Sequence, residues 1–317
     1  MYLLKNSTVL LFLVLIVLSC GKEGAQSTKV NEGNTKIVKG ELNVLTGSET
    51  ELELVKGIIA TSENDKLADY EVVGGGSKLG IKRFIDGEAK FVNSSVRMSS
   101  NDKAKLKENG RYGLMEIVFA LDAVAVITNA KVGVDSLSIF QLKRIFQGEA
   151  INWKEFGGED LPIKVYRRNE DSGTNQFFWG KVLQGSYGKN AKVVASNDKM
   201  LETIESTPGS VGYLGIGTIR DKQGKPSDKV WAVNIYIEGD NAKSPYSFFD
   251  VVTENYYLAR PLYQYFMVED KDQFKELIQF ELSPEGQSYI KEQGFFPITE
   301  EYAAMNQFYL EKLTESK

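Results

Sequence analysis

The chain has 317 residues, with 38 basic and 43 acidic side chains, a net charge of −5 and no histidine. An acidic chain without a long basic run is a poor match for nucleic acid, so we expect no nucleic-acid partner. The lack of histidine removes the usual serine–histidine–aspartate relay and the commonest zinc ligand. We therefore expect a protein that is not an enzyme and that carries no metal and no cofactor.

The N-terminus has the pattern of a bacterial export signal. Lys5 is followed by an apolar run from Val9 to Leu18, which is shorter than the about 20 residues that a membrane span needs. Cys20 is the only cysteine, and the residues before it resemble a lipobox. We predict a lipoprotein signal peptide over 1–19 and a lipid anchor at Cys20 on the extracytoplasmic side, periplasmic or at the cell surface. Residues 20–40 are polar, which predicts a flexible tether.

Apolar periodicity then predicts strands and helices in alternation. The predicted strands are 41–45, 70–73, 91–92 and 122–129, and the predicted helices are 52–59, 81–85, 138–146 and 175–183. The stretch 122–129 is almost wholly apolar, which is typical of a buried parallel strand. This alternation predicts an α/β fold with mostly parallel sheets.

Three loops between these elements are rich in hydroxyls and glycine, namely 46–50, 74–77 and 168–174. Loops at the carboxyl ends of strands are where open α/β sheets bind ligands. Helix N-termini, hydroxyls and the planar fork of Arg168 all suit an oxyanion. Each loop alone also has a simpler explanation: a helix cap, a tight turn or a surface ion pair. Together the three loops predict a cage of donors, although none matches the P-loop pattern.

Short segments in a fixed order carry a resemblance to a known family. They are Gln141-Leu142-Lys143-Arg144-Ile145-Phe146-Gln147-Gly148, Arg168 with Ser172-Gly173-Thr174, Thr207-Pro208-Gly209-Ser210-Val211-Gly212-Tyr213, and Ala259-Arg260-Pro261-Leu262-Tyr263. From about 41 to 297 the chain resembles the phosphate-binding proteins of phosphate ABC transporters. The resemblance implies a two-lobed, clam-shell fold of the periplasmic-binding-protein type. Lobe one would comprise 41–121 plus 260–317 and lobe two 122–259, with hinge strands near 122–126 and 258–263.

The resemblance also implies a binding site, partners and a mode of action. The anion would lie between the lobes and contact residues of all three loops and of the strand near Phe91, which are Ser48, Glu49, Thr50, Gly76, Ser77, Ser95, Arg168, Ser172, Gly173 and Thr174. The expected partners are inorganic phosphate, an ABC permease and the membrane that holds the lipid anchor. The protein is expected to act as a monomer that captures phosphate and delivers it.

Two residues depart from the family pattern. Well-studied members carry an aspartate where this chain has Ser95, and that carboxylate accepts a hydrogen bond from the protonated oxygen of phosphate and repels sulfate. Selectivity would then depend on another group, such as Glu49 or Glu170, while Arg97 would be the arginine of a Ser-Ser-Arg variant displaced by one residue. Glu49 replaces a common threonine and either supplies the acceptor, weakens anion binding, or simply starts a helix favoured by its dipole.

These departures leave alternatives open. The chain can be a binder of another oxyanion such as sulfate, or a ligand-free adhesin or signalling protein. A secreted phosphatase is a further alternative that the missing histidine disfavours.

Ser95→Asp tests the first departure. We expect a higher ratio of phosphate to sulfate affinity. A carboxylate accepts a hydrogen bond from protonated phosphate, whereas the oxygens of sulfate carry no proton and are repelled. The measurement is calorimetric titration of both variants with each anion. An unchanged ratio would discard this account of position 95.

Overall fold

The computed structural model describes residues 43–62, 67–219 and 227–314. The predicted signal peptide, Cys20 and the tether lie outside these residues. The strands are Val44–Gly47 (β1), Glu71–Gly75 (β2), Phe91–Ser94 (β3), Leu114–Asn129 (β4), Ser136–Ser138 (β5), Lys164–Arg168 (β6), Lys192–Val194 (β7), Ser210–Gly215 (β8), Val230–Ala232 (β9), Asn234–Tyr236 (β10) and Ala259–Met267 (β11).

The α-helices alternate with these strands as the sequence predicts. They are Leu52–Thr61 (α1), Ser77–Ile85 (α2), Ser100–Glu108 (α3), Ile139–Gln147 (α4), Gly173–Phe178 (α5), Asn197–Ser206 (α6), Phe248–Val252 (α7), Lys271–Glu281 (α8), Pro284–Glu292 (α9) and Glu300–Thr314 (α10). Short 3₁₀ segments occur at Trp153–Phe156, Ile216–Thr218 and Val268–Asp270, and a π-helical turn at Trp179–Leu183. The last turn of the predicted helix 175–183 is therefore π-helical rather than α-helical.

One sheet of nine strands organises the fold, in the order β2-β1-β3-β11-β4-β8-β6-β7, with β9 also paired to β4. Strand β4 pairs with β11 from Leu114 to Ala123 and with β8 from Val124 to Thr128. It therefore joins one half of the sheet, β1 to β3 with β11, to the other half, β6 to β9. The change of partner falls within the predicted hinge stretch 122–126. The lobe bounds themselves stay a prediction.

The prediction that 122–129 is a parallel strand is wrong. In this stretch β4 runs antiparallel to β8, to β9 and to β11. The strand is buried on both faces from Met115 to Asn129, and a continuous apolar run reports that burial rather than strand direction. Parallel pairing holds elsewhere, between β1 and both β2 and β3, and between β6 and both β7 and β8.

Helix starts follow from local side-chain chemistry. Helix α4 begins at a capping box, in which the Ser138 hydroxyl accepts from Gln141 N and the Gln141 side chain accepts from Ser138 N. Ser283 caps α9, which has proline at its first position. Such caps satisfy the amide groups that a helix N-terminus leaves unpaired.

Two core clusters of buried residues hold the strands and helices together. In one, Phe91 stacks on Phe266 and both rings contact Phe274 of α8. In the other, Phe178 stacks on Tyr213 and contacts Phe146 edge-on. Among the described residues, no helix is both long enough and apolar enough to cross a membrane. The α/β fold predicted from alternating strands and helices is confirmed.

Asn306 fastens the C-terminal helix α10 to the central strand. The side chain is buried, and its Oδ1 accepts from Val118 N at 3.0 Å while its Nδ2 donates to Val118 O at 2.7 Å. Asn306→Ala would leave both backbone groups unsatisfied, and we expect a loss of about 1–3 kcal/mol in the free energy of unfolding. Chemical denaturation measures this loss. The matched control is the exposed neighbour Gln307→Ala, expected within about 0.5 kcal/mol of the parent. Equal stability of the two variants would contradict the structural role of Asn306.

Candidate functional site

The three predicted loops meet at one place in the structure. Thr50 Oγ1 lies 3.1 Å from Thr174 Oγ1, which joins the first loop to the third. Ser77 Oγ lies 3.2 Å from Ser95 Oγ and accepts from Ser95 N at 3.1 Å, which joins the second loop to β3. All the hydroxyl-bearing candidates are buried here, namely Ser48, Thr50, Ser77, Ser95, Ser172 and Thr174. We call these six residues the hydroxyl cluster.

Two glycines let the loops approach this closely. Gly76 has φ 102°, and a Cβ there would lie 2.4 Å from the carbonyl oxygen of Asp171. A Cβ on Gly173 would lie 2.3 Å from Ser77 Oγ and 2.5 Å from Ser95 Oγ. The backbone of the third loop therefore contacts the second directly, and Lys78 N donates to Asp171 O at 3.1 Å.

Arg168 is a buried cation without a carboxylate partner. Its side chain is 1% exposed and donates to Asn197 Oδ1 and, at 2.9 Å, to Ala195 O. Within residues 43–62, 67–219 and 227–314, no carboxylate lies within ion-pair distance of it, and its Nε has no acceptor. Burial lowers the pKa of Arg168, with Glu49 acting against that shift. Buried charges are normally paired, whereas this guanidinium has no counter-charge in contact with it among the described residues.

A hydrogen-bonded scaffold holds Arg168 at the end of β6. Its backbone N donates to the Tyr213 hydroxyl at 3.2 Å. Tyr213 and Tyr187 both bond to Asn175 Oδ1, at 2.8 and 2.6 Å, and Asn175 lies in the first turn of α5. Phe178 stacks on Tyr213 with ring centroids 4.1 Å apart. The third loop is therefore fixed from behind by aromatic packing.

A second buried arginine, which the sequence analysis did not place in the site, reaches the same cluster. Arg260 Nε and Nη2 donate to Asp122 Oδ2 at 2.9 and 2.7 Å. Its Nη2 also lies 3.1 Å from both Thr50 Oγ1 and Thr174 Oγ1, and its Nη1 donates to Ser95 O at 3.3 Å. A sequence signal existed, because Asp122 is a charge at the head of an apolar strand and such buried charges require a partner.

The remaining candidates lie at the edge of the cluster or support it. Glu49 Oε1 accepts from Gly75 N at 2.5 Å, so its carboxylate bridges the first two loops and is not buried. Ser172 Oγ accepts from Asn175 N and Ser48 Oγ from Thr50 N. Ser172 thereby caps α5, and Ser48 stabilises the first loop.

Two residues discussed with the missing aspartate lie elsewhere. Arg97 pairs with Glu116 at 2.7 Å and does not join the cluster, so the view of it as a displaced site arginine is not supported by its position. Glu170 is exposed. Glu170 therefore supplies no buried carboxylate beside Ser95.

The charges of the site favour an anion. Two guanidinium groups are buried here, and only that of Arg260 has an ion-pair partner among the described residues, Asp122, whose pKa is raised by burial against the opposing effect of Arg260. The hydroxyls of the cluster add neutral donors. In the described part of the chain, no group of three or more histidine, cysteine or acidic side chains is arranged to hold a metal. The arrangement can hold a small tetrahedral oxyanion by hydrogen bonds and charge.

A two-lobed α/β fold with such a cluster between strand ends defines the class of solute-binding proteins. Residues 34–285 match the model of the PBP superfamily domain, and the chain belongs to that family.

Curated relatives cover nearly the whole chain. The phosphate-binding protein PstS of Bacillus subtilis (strain 168) is 28% identical over 304 residues, which covers 93% of this chain and 95% of the relative. The phosphate-binding protein PstS of Borreliella burgdorferi is 28% identical over 283 residues, which covers 84% and 92%.

Solved structures show the same fold. A protein from Clostridium perfringens with bound phosphate aligns with TM-score 0.70 at 24% identity, covering 81% of this chain and 99% of that one. An ABC-type phosphate transport receptor from Vibrio cholerae aligns with TM-score 0.61 at 25% identity, covering 80% and 99%. The predicted two-lobed architecture is thereby confirmed.

Asp122→Ala tests the buried ion pair. Removal of the carboxylate leaves Arg260 buried and uncompensated, and we expect a loss of about 3–5 kcal/mol in the free energy of unfolding. Chemical denaturation of protein stripped of co-purified anions measures it. Asp160→Ala, which breaks the exposed pair with Lys154, is the matched control and should cost at most about 1 kcal/mol. Similar losses in the two variants would show that the Arg260–Asp122 pair is unimportant.

Proposed function

We propose that this chain is an extracytoplasmic binding protein, anchored by a lipid at Cys20, that captures inorganic phosphate for an ABC importer and catalyses no reaction. The observation that carries the proposal is Arg168, a buried guanidinium with an unpaired Nε at the start of the third loop, which joins the hydroxyl cluster through Thr174. A bound dianion would supply the missing counter-charge. Relatives that are named for phosphate binding support phosphate as that dianion.

Binding would use the donors in two groups. Arg168 offers Nε, and Ser172 and Thr174 offer hydroxyls, from the half of the sheet built on β6 and β8. Ser48 and Ser77 offer hydroxyls from the other half. An anion that accepts from both groups stabilises the close approach seen between Gly76 and Asp171, because separation of the loops would break half of its bonds.

Closure over the anion makes each contact stronger. The cluster side chains are nearly inaccessible to water in the structure, and charge–dipole interactions strengthen where water is excluded. No covalent step is needed for this role. The importer would recognise the closed form. Release of the anion to the importer would leave Arg168 without a counter-charge, which favours the open form.

A second oxyanion is favoured by one specific observation. Ser95 places a hydroxyl where a carboxylate would select protonated anions, and within the described residues its side chain has no hydrogen bond to a carboxylate. Sulfate is therefore the competing ligand, and titration with both anions separates the two candidates.

Arg168→Ala tests the proposed site. We expect phosphate binding to weaken by about 2–5 kcal/mol, because truncation removes the one buried charge that the anion alone neutralises. Calorimetric titration of the domain that begins after Cys20 measures the change. Arg144→Ala is the matched control, since the Arg144 guanidinium pairs with Glu155 at 3.0 Å and is not in the cluster.

The control should bind phosphate as the parent does. Unchanged affinity in Arg168→Ala, or an equal loss in both variants, would refute the assignment of the anion to Arg168.

A further inference from the structure

Glu51 is a buried carboxyl that the proposed binding role does not yet use. It directly follows the first loop and occupies the N-cap position of α1, yet its side chain does not cap the helix. The residue has no exposed surface, and neither carboxyl oxygen has a hydrogen-bond partner within the described residues. Such surroundings strongly disfavour the ionised form of a carboxyl.

The groups that face Glu51 come from three elements. Arg260 of β11 attracts the ionised form, and Asp122 of β4 and Glu281 of α8 repel it. Arg260 is already neutralised by Asp122 at 2.7 Å. Glu281 is itself buried and accepts from Gln264 Nε2 at 2.9 Å. Burial raises the pKa of Glu51 well above its usual value, since desolvation exceeds the opposing effects of Arg260 and Ser48.

Ser48 connects this carboxyl to the hydroxyl cluster. Its hydroxyl lies close to Glu51 and opposes the rise in the pKa of that carboxyl, although no hydrogen bond joins the two side chains as they are placed. Its oxygen accepts from Thr50 N at 3.2 Å, and it has a single proton to donate. If Glu51 is neutral, the Ser48 proton is free to point at an anion. If Glu51 is ionised, it competes for that proton and also adds a negative charge next to the anion.

We propose that Glu51 is an affinity-determining residue whose neutral form is required for phosphate capture. Binding then takes up one proton from solvent whenever Glu51 is ionised in the free protein. The unpartnered buried carboxyl, its contact with Ser48 and its place behind the first loop carry this inference, which rests on the proposed phosphate-binding function.

Glu51→Gln provides the test, because glutamine keeps the shape and neutrality of the protonated carboxyl. Phosphate affinity of the parent and of the variant is measured by calorimetry from pH 6 to pH 10. The titration of phosphate itself cancels in the ratio of the two dissociation constants. We expect the ratio to be constant at low pH and then to rise in favour of Glu51→Gln, by up to about tenfold per pH unit once Glu51 ionises.

The matched control is Glu53→Gln, which neutralises an exposed carboxyl of the same helix, paired with Lys56 at 2.9 Å, without touching the hydroxyl cluster. It should keep the pH profile of the parent. An identical profile in the parent and Glu51→Gln would overturn the inference alone. A folded Glu51→Gln that binds phosphate at no pH would also overturn it, since the ionised carboxylate would then be the required form.

Two further outcomes are distinguishable. If the parent binds phosphate at no pH, the proposed function fails and the inference fails with it. If Glu51→Gln does not fold, infrared difference spectra of the parent with and without phosphate decide, with Glu281→Gln used to assign the carboxyl bands. Retention of the Glu51 protonated-carboxyl band in the complex supports the inference, and its loss on phosphate binding overturns it.

Discussion

The positive charge of Arg168 is buried at the end of β6, where desolvation is costly and no carboxylate of the described residues lies within ion-pair distance. The rest of the site is arranged around this uncompensated charge. Asn197 and Ala195 fix the guanidinium and leave its Nε unpaired. The ring stack of Phe178 on Tyr213 prevents the third loop from relaxing toward water. A protein that holds a cation in this way is poised to bind an anion.

Strand β4 and a buried ion pair connect the two halves of the sheet. Strand β4 extends through both, and Asp122, close to its change of partner, binds Arg260 of β11. Arg260 in turn contacts Thr50 and Thr174, one from each side of the cluster. The strands predicted as hinges thus carry the Arg260–Asp122 ion pair, which contacts both threonines. The proposed anion site is thereby connected to the predicted hinge.

Much of the fold and the loop positions could be predicted from sequence because they depend on local patterns. The periodicity of α1 and the capping serine of α4 are properties of short segments. The direction of β4 could not be predicted, since burial on both faces gives the same apolar run in either direction.

The participation of Arg260 and Glu51 also escaped the sequence analysis. Arg260 lies 138 residues from Asp122, so only the tertiary fold brings them together. Glu51 in sequence is one of several acidic residues at a helix start, where solvent exposure is the usual outcome. Its complete burial follows from tertiary packing at the start of α1, where Arg260 of β11, Asp122 of β4 and Glu281 of α8 lie nearby, and no short pattern encodes that packing.

Equilibrium titration of the domain after Cys20 with phosphate and then with sulfate tests the proposed binding function most directly. Co-purified anion is first removed by partial unfolding and dialysis. Saturable binding of one phosphate per chain, which neutralises Arg168, is the expected result, and the sulfate titration measures how far Ser95 leaves the site unselective. Binding of neither anion would contradict the proposed function and would favour a ligand-free role for the same fold.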